Sequence, residues 1–122
     1  MRRIMHTRYT DIPAYDTKDG SEIRELMHPD SHGNAAQSLA EAVVEPGATT
    51  HLHRHAKTEE LYHITRGRGE MRLGEETFEV TVGDTVCIHP GTPHNIRNIG
   101  AEPLHILCSC SPPYSHDDTE LL

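Results

Sequence analysis

Within the stretch Pro46 to Gly67, PGATTHLHRHAKTEELYHITRG, three histidines stand at alternate positions: His51, His53 and His55. Successive side chains of a β-strand point to opposite faces, so these three would share one face. Glu59-Glu60 follows, then Leu-Tyr-His-Ile-Thr, which reads as a second strand. Two or three imidazoles and one carboxylate, drawn from two adjacent strands, are donors for a divalent transition metal. Neighbours on a strand point oppositely, so only one of Glu59 and Glu60 can join them. A chance alternation of exposed histidines is the competing reading. A second histidine-bearing stretch, Gly83 to Asn98, with His89 and His94, counts against it.

The elements that must position these groups are short strands. Ser38 to Glu45 reads as a strand ended by Pro46-Gly47, and His51 to His55 as the next. Glu60 to Thr65, Glu70 to Leu73, Thr77 to Val82, Thr85 to His89, His94 to Asn98 and Leu104 to Cys110 follow, separated by glycine- and proline-bearing turns. No long amphipathic helix is visible. This is the pattern of an all-β sandwich or barrel. The first 36 residues are less regular: Asp16 to Gly20 is turn-like, Ser21 to Met27 has no decisive period, and Pro29 to Asn34 is a loop by composition. The chain therefore divides into an N-terminal extension over 1–36, expected to pack on the barrel or on a partner, a barrel over 37–113, and a partly ordered tail over 114–122.

Composition narrows the function. A chain of 122 residues is one domain's worth, and only 34% of it is hydrophobic, with a single Phe and no Trp. A barrel that spends part of its interior on a polar site accommodates that. The net charge of -8, with no basic run, argues against nucleic acid and against an anionic membrane surface as partners. No apolar run approaches a membrane span. The start, MRRIMHTRYTD, has no apolar core of a secretory signal. The cysteines, Cys87, Cys108 and Cys110, are odd in number and do not read as a disulfide framework. A cytoplasmic setting is expected.

The two stretches resemble the paired motifs of the cupin superfamily. The first runs Gly47, five residues, His53, one residue, His55, four residues, Glu60, six residues, Gly67. The second runs Gly83, Pro90-Gly91, two residues, His94, three residues, Asn98, with His89 where that motif usually carries proline. The resemblance covers roughly Gln37 to Pro113 and is to small single-domain members described as mannose-6-phosphate-isomerase-like. It implies a jelly-roll β-barrel with a metal at its wide mouth, held by His53, His55, Glu60 and His94. Such a donor set suits one Fe, Mn, Co, Ni or Zn ion and leaves positions open for water, substrate or O2. The resemblance also implies a homodimer.

Other residues are weighed individually. His51 shares the expected inward face with His53; it is a candidate catalytic base, against a role in the barrel wall. Tyr62 shares the face of Glu60 and is a candidate catalytic phenol, against a packed aromatic. Asn98 reads as a turn-holder, His63 as outward, His89 as local to its turn, and His28 and His32 as solvated. Cys108 and Cys110 share one face of the last strand and read as buried small hydrophobes. The function expected is that of a metal-dependent enzyme of isomerase, lyase, decarboxylase or dioxygenase type acting on a small polar molecule. The alternative is a non-catalytic small-molecule-binding or sensor module, since fold does not choose among these.

Overall fold

The computed structural model describes residues 5–122, whose regular structure is almost wholly short antiparallel strands. In chain order these are Tyr15–Asp16 (β1), Glu22–Met27 (β2), Ser38–Val44 (β3), His53–His55 (β4), Glu59–Arg66 (β5), Arg68–Leu73 (β6), Glu76–Thr81 (β7), Thr85–Ile88 (β8), His94–Asn98 (β9), Leu104–Ser111 (β10) and Thr119–Leu121 (β11). A short α-helix, Pro29–His32 (α1), lies between β2 and β3, and one 3-10 turn spans Tyr9–Asp11. Six strands form one sheet in the order β1-β2-β3-β10-β5-β8, and five form the other in the order β11-β4-β9-β6-β7. The two sheets face each other as a jelly roll; the ladders do not close into one continuous cylinder.

Alternation of side chains makes the interior. Along β5, Glu60, Tyr62 and Ile64 are buried while Glu59, Leu61 and His63 are exposed. Its neighbour β10 buries Leu104, Ile106, Cys108 and Cys110 in the same manner. The β5–β10 register sets Ile106 beside Ile64 and Cys110 beside Glu60, so one half of the interior is apolar and the other polar. Ile64, Met71, Ile96, Leu104 and Ile106 are each 1% exposed or less. Burying a side chain of this size stabilises by roughly 1.5–3 kcal/mol, which anchors the strands that carry the polar half. The crossing from β5 to β6 is made at Gly67, with φ +81, where an added Cβ would meet the Pro103 carbonyl oxygen at 3.0 Å. Only glycine meets both demands.

At four places the structure adds to or departs from the sequence reading. The strand expected over His51–His55 begins only at His53, because the His51 amide donates to the Asp19 carbonyl at 2.7 Å and turns that residue out of the ladder. In the N-terminal segment, Ser21 to Met27, which has no decisive period, supplies β2, which pairs with β3 along its length and brings Ile23 into the core. The tail contributes β11, which pairs with β4, Thr119 opposite His55 and Leu121 opposite His53. The expected loop at Pro29 holds α1, capped by His28 Nδ1 accepting from the Asp30 amide at 3.1 Å. No helix among the described residues is long and apolar enough to cross a membrane.

Candidate metal centre

Strands β4, β9 and β5 bring the site together. Alternation on β4 buries His53 and His55 and leaves Arg54 between them outside. The β4–β9 register places His94 directly opposite His53, with ring centroids 4.2 Å apart. One ring nitrogen from each of His53, His55 and His94 lies within 4.8 Å of the others, a spacing that a single ion can span. From β5, Glu60 Oε1 comes within 3.2 Å of His55 Nε2 and 3.6 Å of His94 Nε2.

The outer nitrogens fix the tautomers. His53 Nδ1 lies 2.8 Å from the His51 carbonyl oxygen, and His94 Nδ1 lies 2.9 Å from that of Thr92. A carbonyl only accepts, so in both rings Nδ1 carries the proton. His55 Nδ1 lies 3.0 Å from Thr119 Oγ1, whose own proton goes to the Ser115 carbonyl at 2.8 Å. That hydroxyl is therefore an acceptor, and His55 is protonated at Nδ1 as well. Each neutral ring then turns an Nε2 lone pair inward, the arrangement by which outer partners orient metal-binding imidazoles.

Those lone pairs meet a carboxylate rather than a donor. His94 Nε2 and Glu60 Oε1 are both buried without a hydrogen-bond partner. The other oxygen, Glu60 Oε2, accepts from the Cys110 thiol at 3.3 Å. Burial would push the Glu60 carboxyl up, but His55 and His94 outweigh it and hold it at about 2. Neutral rings with inward lone pairs cannot exert that hold. A proton or a metal cation between Glu60 and the imidazoles can. At His53, the third ring, burial first and His94 second lower the basicity and so keep its Nε2 lone pair free for a cation. The donor set and its orphaned atoms therefore fit a divalent cation.

The remaining sequence candidates fall as follows. His51 is exposed, its ring packed beside Gly20; it does not share the inward face expected of it, and only its carbonyl serves the site. Tyr62 is buried, edge-on to His94 with centroids 6.0 Å apart, and burial raises its phenol far above the ordinary range, so it stays protonated. Asn98 donates to the Val44 and Glu102 carbonyls and accepts from the Gly100 amide, holding a turn. His63 faces outward against Thr85. His28 is buried rather than solvated, its Nε2 2.7 Å from the Tyr114 carbonyl oxygen. Glu59, Cys87 and His89 form a second grouping on the outer face; all are exposed, so burial demands no cation there.

Several lining residues carry no signal in the sequence. Asp19, in the turn before β2, accepts at Oδ1 from Thr17 and Ser21, and its Oδ2 stands 3.8 Å from His53 Nε2. Glu25 of β2 and Tyr114 of the C-terminal segment complete the wall. The Tyr114 ring stands edge-on to His55 at 5.8 Å, and burial pushes its phenol up to about 12. The enclosed space is small, about 40 Å³.

Fold and motifs together define a class: the chain belongs to the cupin family, whose domain model matches residues 40–110. An uncharacterised protein of Methanocaldococcus jannaschii is 56% identical over 120 residues, covering 98% of this chain and 96% of that one. Among solved structures, oxalate decarboxylase of Bacillus subtilis superposes with a TM-score of 0.86 at 21% identity, over all of this chain and 33% of that one. Pac13, a nucleoside dehydratase from Streptomyces, superposes with a TM-score of 0.79 at 13% identity, over 98% of this chain and 92% of that one. At these identities the two structures share the fold alone.

Proposed function

We propose that this cupin is a metal-dependent enzyme acting on a small polar molecule, with His53, His55, His94 and Glu60 holding one divalent transition metal (Fe, Mn, Co, Ni or Zn). The observation that supports this reading is the convergence of three imidazole lone pairs and a buried carboxylate oxygen with no donor among them. When bound, such a cation supplies Lewis acidity toward a carbonyl or hydroxyl oxygen. The chain's own residues do the remainder. The His51 and Thr92 carbonyls and the Thr119 hydroxyl hold the three rings in register. Tyr62 and Tyr114 wall the site from water on two sides. Asp19 Oδ2 is the carboxylate oxygen placed to take up a proton from a ligand beside His53, the role first assigned to His51. A base in that place favours isomerase or lyase chemistry over O2 insertion.

The working unit in this reading is a cytoplasmic homodimer. Leu39 and Leu61, 39% and 41% exposed, flank Ser109 on the outer face of the six-stranded sheet and supply an apolar surface for pairing.

Metal analysis and turnover on one preparation test the assignment. Wild type should carry a stoichiometric divalent metal, and His53→Ala and His94→Ala should lose it. Asp19→Asn should keep the metal and lose turnover on a panel of small hydroxy-carbonyl compounds. Normal occupancy in both histidine variants overturns the ligand set.

A further inference from the structure

We infer that the pocket selects a small uncharged or amine-bearing ligand that offers hydrogen-bond donors, such as a vicinal diol or amino alcohol, and rejects dicarboxylates and phosphate esters. This rests on the metal-site reading and names the substrate class of that site. Three carboxylates, those of Asp19, Glu25 and Glu60, line the cavity, and among the described residues no lysine or arginine does. Lys18 and Arg24, each next in sequence to a lining carboxylate, are committed elsewhere. Lys18 Nζ donates to the His116 and Thr119 carbonyls at 2.8 and 3.2 Å, and Arg24 lies over the Tyr9 ring beside Glu22. Three carboxylates outweigh one dication, so an incoming dianion meets a site of its own sign.

The acceptors are also set out for donors. Asp19 Oδ1 is saturated by Thr17 and Ser21, which fixes the carboxylate and leaves Oδ2 facing the histidines. Glu25 Oε1 takes the Tyr15 hydroxyl at 2.9 Å, and its Oε2 is buried with no partner. A buried acceptor without a donor is unfavourable, and a ligand hydroxyl or ammonium removes that cost. The apolar wall of Ile23, Ala40 and Ala42 fits a short carbon chain between these groups. The cavity of about 40 Å³ limits the enclosed part of the ligand to the space of a few waters.

Calorimetric titration of the full chain, Co(II)-loaded and metal-free, with glycerol, ethanolamine, oxalate and glycerol 1-phosphate tests this. Metal content is measured separately, so failure of the metal site and failure of the preference are read independently. Expected is binding of glycerol or ethanolamine at least about tenfold tighter than either anion, in both forms of the protein. Asp19→Asn and Glu25→Gln, which keep side-chain shape, should each raise oxalate affinity about tenfold and weaken ethanolamine. Wild type that binds either anion as well as glycerol or ethanolamine overturns the inference, as does absence of binding by all four. Amide variants with unchanged oxalate affinity overturn the role given to the two carboxylates.

Discussion

His94 Nε2 and Glu60 Oε1 face each other at 3.6 Å in the interior, and neither has a hydrogen-bond partner. Two buried acceptors cannot satisfy one another. Removing either one, or supplying a cation, should therefore change stability in opposite directions to an ordinary hydrogen-bonded pair.

Chelation should destabilise the wild type. A ligand present at a hundred times its dissociation constant adds about 2.7 kcal/mol to the native state. For a domain of this size that is roughly 5–15 °C in midpoint. Scanning calorimetry with and without EDTA should show that drop in wild type and none in His53→Ala or His94→Ala. Equal drops in all three would remove these rings from the site.

The two adjacent glutamates should separate cleanly. Glu59→Ala touches only the outer face and should alter metal content and midpoint little, within about 0.5 kcal/mol. Glu60→Ala should lower metal affinity strongly. The reverse outcome in metal titrations would mean that the strand runs one residue out of register.

Thr119 and His51 make a paired test of how the rings are held. The Thr119 hydroxyl orients His55, so Thr119→Val should reduce metal affinity by about 10–100-fold with the fold retained. His51 serves through its backbone carbonyl, so His51→Ala should leave metal affinity near wild type. Competition titrations against a chromophoric chelator measure both. A large loss in the His51 variant would restore its ring to the site.

Acid should weaken the metal-free protein. His53 has its basicity lowered on folding, by burial and then by His94, so the unfolded chain binds more protons as pH falls below the ordinary histidine value. Stability is present above that value and is lost as pH falls toward the folded one. Midpoints of the metal-free protein measured from pH 8 downward should fall below roughly pH 6.5. His53→Gln should flatten that fall. A midpoint independent of pH above 5 would contradict the His53 contribution.

Solution scattering at micromolar concentration should give twice the mass of one chain, and Leu61→Arg should shift it toward the monomer. A monomeric wild type removes the dimer.

Much of the site was legible because β-strand alternation is a strictly local rule. Side chains two apart share a face whatever the rest of the fold does, so Glu60, Tyr62 and Ile64 inward and Glu59, Leu61 and His63 outward follow from sequence. The motif spacing likewise grouped His53, His55, Glu60 and His94 before any distance was known. The same rule failed at His51, because one backbone bond from its amide to Asp19 ended the strand there. No period in the sequence encodes which loop will capture an amide.

What only the tertiary structure decided is everything contributed across long separations. Asp19 and Glu25 reach the histidines because β2 joins the sheet beside β3, and Thr119 reaches His55 because the tail pairs with β4. Cys110 meets Glu60 through the β5–β10 register. These residues sit in segments whose local pattern reads as turn, tail or small apolar filler. The sequence determined an all-β cupin with a histidine-rich interior. The carboxylate wall around it, and so the charge a ligand meets, arises from strand pairing, which acts through space and leaves no mark at fixed spacing along the chain.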